Sequence, residues 1–449
     1  MIARAPDAPA MRTVLIFAHE CAPYHREQST VGAQRPAQFA KYLPAFGWRA
    51  IVICCDARRR GTPCPDIESE VRDALGASGA SKSVIIPTAS LPWTGLVDRA
   101  WRAVQPRMGR DAAWRKLARR PLTVAKLFSG DYSQAWQPCA RAAAEVVARM
   151  TRVDACIGEH SPDAGIFLAR WFSQRFGVPW VADFRDAMLQ PLKPALRLVY
   201  RPFARRLLST ASAVVNVTPY WSELDAKLFG RPVVTIPNGF DPAEFDGPVP
   251  ESNGAFVMCY TGHMWPQMRM EIALAGLAEV RTRRPELSAA QLRFVYRGAH
   301  WNEILESARR YGVADLVDAD RHIARPEAVR LMRRADVLLL LSIADVEAQD
   351  EYLRRGIYPA KAFEYFGARR PILCVPGDRG LLEALIQDTK TGVVARTPTE
   401  VADALEHSIQ RRPDSIVSRF NPDDRLVGSF SRRVLTGRLA QVLDGVVRS

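Results

Sequence analysis

The stretch Ala255–Arg283, AFVMCYTGHMWPQMRMEIALAGLAEVRTR, decides the fold. Ala255–Tyr260 reads as a strand, Thr261–Met270 as a loop and Glu271–Arg283 as a helix. A strand that is apolar along its whole length has both faces covered, as in a parallel sheet flanked by helices. The same alternation continues on both sides. Downstream, Leu292–Tyr296, Val337–Ser342 and Pro371–Val375 read as strands, with helices at Glu327–Arg334 and Lys361–Gly367. Upstream, the strands are Thr13–Ala18, Ala50–Cys54, Ser83–Pro87, Ala155–Gly158, Pro179–Ala182, Ala213–Val217 and Val233–Pro237. Gln34–Phe46 is a helix with Phe39, Tyr42 and Leu43 on one face. Between the halves, Asp241–Gly254 (DPAEFDGPVPESNG) has the proline, glycine and acid of a linker. The reading is an α/β protein of two doubly wound halves, with a boundary near residue 250.

The totals agree. A chain of 449 residues suits two domains, and 48% hydrophobic with 24% charged residues excludes wholesale disorder. The 62 Lys+Arg against 48 Asp+Glu leave +14. Only eight of the 62 are lysines, a ratio that reflects codon usage more than chosen contacts, so the charge points weakly to an acidic partner. No nucleic-acid-binding module accompanies it, and nucleic acid is not an expected partner. The eight cysteines include no C-x-x-C pair, which predicts reduced, buried thiols in a cytosolic protein and no structural zinc. No run of 18 apolar residues could span a membrane, and Met1–Met11 lacks the apolar stretch of a signal peptide.

Trp93–Met150 interrupts the alternation and reads as a helical insertion. Trp93–Arg120 mixes tryptophans with arginines, and Arg197–Leu208 (RLVYRPFARRLL) repeats that character. Two readings stand: arginine stems lying over apolar surface, or an amphipathic face for an anionic membrane.

Ligands of open α/β sheets bind at the carboxyl ends of strands, so the loops there hold the candidate chemistry. His19–Arg35 carries His25 and a single glycine, Gly32, without the spacing of a dinucleotide fingerprint. Gly158–Gly165 carries His160, either an ordinary loop histidine or a proton-transfer group. Asp183, Arg185 and Asp186 follow another strand, as a functional cluster, since three charges there are hard to explain as core, or as a local ion pair between Arg185 and an aspartate. After Ala255–Tyr260, Gly262 permits close backbone approach and Arg269 is a candidate diphosphate clamp. In Gly356–Pro371, Lys361 and Glu364 share one face of a helix's first turn. A cation there opposes the helix dipole unless an anion binds too, and a carboxylate one turn on can accept two bonds from a vicinal diol. The alternative is a plain surface pair.

At these residues the sequence resembles the retaining glycosyltransferases of the GT-B fold, family 4. Thr235–Phe245 (TIPNGFDPAEF) is similar to the family's I-P-N-G-x-D-x-x-x-F, and Tyr260–Gly262 to its Y-T-G. Pro326–Leu340 (PEAVRLMRRADVLLL) is similar to the helix ahead of A-D-V-x-L, and Pro359–Pro371 (PAKAFEYFGARRP) to K-x-x-E-Y-x-x-x-x-x-P. Val181–Asp186 and the helix Ser429–Val446 extend the resemblance, which omits Trp93–Met150.

The resemblance implies two Rossmann-like domains facing a central cleft, with residues 1–250 on the acceptor side. Residues 251–428 would bind the nucleotide sugar, and 429–449 would be a helix crossing back to the first domain. It implies that Glu364 binds the donor ribose, Lys361 and Arg269 face the diphosphate, and Gly262 and Gly32 let the pyrophosphate and sugar approach backbone. Ile323 would lie near the nucleobase and His160 beside the transferred sugar. Asp183, Arg185, Asp186 and His25 would lie on the acceptor side. No metal or cofactor is expected. The donor is a nucleotide sugar, UDP before GDP, and the acceptor a glycan or lipid-linked sugar of cell-surface polysaccharide. The expected place is the cytoplasm, with attachment to the inner membrane face as an option. Many members carry a glutamate eight positions before the Glu364 equivalent; here that position is Gly356, and Asp350 or Glu351 would substitute. A sugar-nucleotide epimerase and a non-catalytic protein of this fold are the alternatives.

Overall fold

Apolar strands of both halves lie in two separate parallel sheets. The computed structural model describes residues 11–25, 31–62, 66–79, 81–91, 131–189, 194–248, 254–265, 267–343 and 357–448. It divides into one unit of Met1–Pro237 with Leu435–Ser449 and a second of Asn238–Val434. The described elements of the first are β1 (Arg12–Phe17), α1 (Val31–Tyr42), β2 (Trp48–Arg60), α2 (Ile67–Ser78), β3 (Val84–Ser90), α3 (Gln137–Met150), β4 (Ala155–His160), α4 (Ala164–Phe176), β5 (Trp180–Phe184), α5 (Pro194–Leu208), β6 (Ala213–Asn216), α6 (Pro219–Phe229) and β7 (Val234–Thr235). The sheet order is β3-β2-β1-β4-β5-β6-β7. The chain winds outward from β1, returns to β4 beside it and winds the other way, so the carboxyl ends of β1 and β4 flank a switch point.

The second unit repeats the plan with β8 (Phe256–Thr261), α7 (Met270–Arg283), β9 (Leu292–Arg297), α8 (Trp301–Arg310), β10 (Val317–Asp320), α9 (Arg325–Arg334), β11 (Val337–Leu341), α10 (Ala360–Ala368), β12 (Ile372–Val375), α11 (Leu381–Thr389), β13 (Gly392–Val394), α12 (Pro398–Ile409) and α13 (Asp424–Gly428). Its order, β10-β9-β8-β11-β12-β13, puts the switch point between β8 and β11. Successive residues of β11 feed opposite cores: Leu339 and Leu341 join Leu274 and Leu277 of α7, while Leu338 and Leu340 join Phe363 and Phe366 of α10. Both faces are covered, as the continuous apolar run requires.

The first unit ends at Pro237, ahead of the expected boundary near residue 250, because Phe240 and Phe245 bury in the second unit's core. The final helix, α14 (Arg432–Arg448), sends Leu435, Leu439 and Leu443 into the first unit's core. Asp444 anchors it there, accepting from Arg12 Nη1 at 2.8 Å and Trp48 Nε1 at 3.0 Å.

The expected insertion is corrected where it is described. Asp131–Trp136 is a 3-10 turn leading into α3, the crossover helix by which the chain returns from β3 at the sheet edge to β4 beside β1. Trp136 is a core residue, fully buried, with Nε1 donating to Thr88 Oγ1 at 2.7 Å. Trp93–Arg120 lies outside the described residues, as do Asp350, Glu351 and Gly356. The thiol expectation holds for Cys21, Cys54, Cys55, Cys156, Cys259 and Cys374, which are free and buried, but Cys139 is disulfide-bonded. Among the described residues no helix is long and apolar enough to cross a membrane.

Candidate active site

In the second unit the site assembles across the switch point. Gly262 follows β8 with φ +103°, a left-handed region that favours glycine, and its N–H donates to Arg297 O at 2.6 Å. A Cβ there would lie 2.6 Å from Lys361 Nζ. Lys361 is on the first turn of α10, which Pro359 sets off from the preceding chain. Its ammonium also stands 5.8 Å from the centroid of the Tyr260 ring, within cation–π range. Glu364, one turn on, has Oε2 3.5 Å from Lys361 Nζ and Oε1 2.7 Å from Arg325 Nη1. Burial pushes the Glu364 carboxyl up, but Lys361 and Arg325 together hold it below its ordinary value. The structure thus brings Gly262, Lys361 and Glu364 together: a glycine whose missing side chain leaves room for a cation, that cation, and an ionised carboxylate at the end of a buried strand.

Arg269 is exposed at the N-terminal boundary of α7, on the loop that carries Gly262. Ile323 is half-buried in the connection between β10 and α9. A pocket of about 350 Å³ lies to one side, lined by residues such as Met264, Met268 and Leu274 of the β8–α7 segment and Ile304 of α8. Neither Lys361 nor Glu364 lines it, so its size does not make it the chemical site.

In the first unit the carboxyl ends of β1, β4 and β5 gather a buried cluster. His160 closes β4; its Nδ1 is 2.5 Å from Asp163 Oδ1 and its ring stacks at an angle on Phe184, centroids 5.3 Å apart. A proton shared on the Nδ1 side leaves Nε2 as the acceptor, an orientation suited to general-base or hydrogen-bond work. Asp163 is the start of α4, so H-S-P-D itself places the carboxylate one turn from the imidazole.

Two expectations are corrected here. Asp183 does not pair with Arg185, nor is it placed to touch an acceptor. It is 1% exposed, with both oxygens on Arg35 Nε and Nη2 at 2.8 and 2.7 Å. Arg35 Nη1 goes on to the carbonyls of Ile236 and Pro237 at 3.1 and 3.2 Å. Arg185 instead donates to Glu20 Oε2 at 2.7 Å, while His25 Nε2 is 3.5 Å from Glu20 Oε1. Nor does Gly32 face open space: its missing Cβ makes room for the Arg185 guanidinium, whose Nη1 would lie 1.4 Å from that atom. Asp186 is half-buried beside this cluster and adds to the negative field at Arg185.

The charges sort themselves by supply. Arg35 serves Asp183 and Arg185 serves Glu20, leaving Glu159 without a guanidinium of its own. Burial pushes the Glu159 carboxyl up to about 8 against the pull of Arg185, and its Oε1 has no hydrogen-bond partner among the described residues. Glu20 goes the other way: burial opposes ionisation, but His25 and Arg185 hold it at about 2. Asp225, whose Oδ2 accepts from Asn216 Nδ2 at 2.6 Å, is pushed up by burial to about 7. Arg35, Glu20, Glu159 and Asp225, and Arg325 in the other unit, were not singled out from sequence. Arg325 had a signal, being the residue before the quoted Pro326 motif. Among the described residues no three His, Cys, Asp or Glu side chains converge as a metal site.

Residues 32–239 match the model of the glycosyl transferase 4-like domain. Among solved structures, the chain is similar to a glycosyltransferase from Rickettsia africae, with 12% identity, TM-score 0.56, and 98% of this chain and 99% of that one covered. It is similar to Anabaena HepE in complex with UDP, with 13% identity, TM-score 0.57, and 97% and 100% covered. It is also similar to sucrose-phosphate synthase from Thermosynechococcus elongatus, with 12% identity, TM-score 0.60, and 97% and 98% covered. At such identities the likeness is one of fold, and the fold is GT-B. No curated protein sequence matches the chain.

Proposed function

We propose, from the match of residues 32–239 to the glycosyl transferase 4-like domain on a chain of the GT-B fold, a retaining, metal-independent transfer of sugar from a nucleoside-diphosphate sugar. The observation that carries this reading is the trio of Gly262, Lys361 and Glu364 at the β8–β11 switch point. Gly262 leaves the room in which the Lys361 ammonium sits, and that ammonium neutralises the charge that grows on the diphosphate as the glycosidic bond breaks. Arg269, on the same loop, adds a second cation. Glu364 accepts from the ribose diol, and Ile323 borders the base. Anabaena HepE is described in complex with UDP and with UDP-glucose, which supports UDP as the first donor to try.

In the first unit His160, oriented by Asp163, attends the transferred sugar, while His25, Arg185 and Asp186 rim the acceptor side. The acceptor is a glycan or lipid-linked sugar of a cell-surface polysaccharide. Helix α5 supports work at an anionic membrane: Leu198 and Val199 are 66% and 62% exposed beside exposed Arg201, Arg205 and Arg206.

A thermal-shift screen against UDP, GDP, ADP and TDP sugars tests the donor class, since a ligand of the native state raises Tm. Proton NMR of the first sugar released from the preferred donor tests retention. Release with the donor's own anomeric configuration supports the reading; the opposite anomer, or an isomerised donor, rejects it.

A further inference from the structure

Glu244, Arg325, Glu364 and Lys361 form a row of alternating charge wholly inside the second unit. Arg325 is the first residue of α9, where a cation is opposed by the helix dipole, so acidic partners must hold it there. Glu244, which ends the 3-10 turn Pro242–Glu244, accepts from Arg325 Nε at 3.0 and 3.1 Å and from Nη2 at 2.5 Å. The other arm, Nη1, reaches Glu364 Oε1 at 2.7 Å. A guanidinium is a rigid planar fork, so a carboxylate gripping one edge fixes where the other edge points. Glu364 cannot rotate without breaking the Nη1 bond, and its Oε2 stays on the Lys361 side at 3.5 Å.

We infer that Arg325 is a positioning residue for nucleotide binding: braced by Glu244, it sets the orientation and charge of the Glu364 carboxylate that receives the ribose diol. This rests on the donor-site reading above and adds to it the residues that make Glu364 competent. An ionised carboxylate has lone pairs enough for Arg325, Lys361 and two hydroxyls together; a protonated one does not.

The groups facing Glu364 decide when it is ionised. Lys361 and Tyr365 come from its own helix, Arg325 from α9 with Glu244 behind it, and Tyr260 from β8. Burial raises both tyrosines, so they stay neutral and the two cations alone oppose the burial of Glu364. Removing Arg325 leaves only Lys361, and Glu364 then takes up a proton at a higher pH than in the wild type.

The test is calorimetric titration of the full chain with UDP, or whichever of GDP, ADP and TDP binds the wild type, at pH 6 and pH 8. Melting temperatures of each variant are taken alongside. Arg325→Gln is expected to weaken binding about tenfold or more, as loss of a charged hydrogen bond does, and more at pH 6 than at pH 8. Arg325→Lys keeps the charge but not the fork, so the pH dependence returns to that of the wild type while affinity stays low. Glu244→Gln gives a smaller loss with the pH dependence unchanged, and it and Arg325→Lys decide the matter if Arg325→Gln does not fold. Wild-type affinity at both pH values in the folded Arg325 variants overturns this inference alone. A wild type that binds none of the four nucleotides overturns the donor-site reading and this inference with it.

Discussion

Lys361 Nζ lies 2.6 Å from the point a Gly262 Cβ would occupy, so the absent side chain of one residue is the room in which the other's charge sits. Gly262→Ala therefore acts twice. The left-handed backbone at φ +103° costs about 1–2 kcal/mol for a residue with a Cβ. The clash itself is with the flexible end of a lysine, which swings aside at little cost in stability but no longer faces the diphosphate. The expected result is a modest fall in Tm with a disproportionate loss of nucleotide affinity, read by denaturation and calorimetry on one preparation.

His160 and Asp163 are predicted to act as one unit. His160→Ala and Asp163→Asn each lower kcat by about a hundredfold or more, the usual range for a lost proton-transfer group, with little change in donor KM. The double variant is no worse than the worse single one. Additive losses would separate the two residues.

Breaking the Arg35–Asp183 pair should destabilise the first unit strongly. Its side chains are 0% and 2% exposed, so Asp183→Ala strands a buried guanidinium and costs about 3–5 kcal/mol. Urea denaturation followed by tryptophan fluorescence reads it. A loss under about 1 kcal/mol would mean that Arg35 is satisfied by the Ile236 and Pro237 carbonyls without Asp183.

Glu159 gives a pH signature with a definite sign. Its carboxyl stands at about 8 in the folded chain against 4.5 unperturbed, so between those values the folded state holds a proton that the unfolded state has lost. Stability from this group therefore falls as pH rises from about 4.5 to 8, by at most about 1.4 kcal/mol per pH unit. Glu159→Gln mimics the protonated form. It should match the wild type near pH 5 and exceed it at pH 8 in denaturant midpoint. Parallel profiles would show that Glu159 is ionised in the fold.

Much of the fold was legible because its signal is local. The apolar runs at Val14–Phe17, Ile51–Cys54 and Val337–Leu341 read as buried strands because they are short and alternate with longer amphipathic segments. Strands β10 and β13 escaped notice because that signal is missing: Val-Asp-Ala-Asp is half polar, and Gly-Val-Val is shorter still. Lys361, Glu364 and Gly262 were legible through one-turn spacing and a glycine at a strand end. Arg325 and Glu244 were not, because their use depends on α9 and the 3-10 turn meeting at Glu364, a contact between residues far apart in sequence. Asp183 misled for a related reason. Charge at the end of a buried strand reads as function, and nothing local revealed that Arg35, on α1, would neutralise it.

The central claim is that Glu364 holds the donor nucleotide. Titrating UDP into the wild type and Glu364→Ala by calorimetry tests it most directly. The expected result is measurable binding to the wild type and a loss of at least about tenfold in Glu364→Ala, measured where the free variant is still folded by its melting transition. Equal affinity in the two proteins would contradict it.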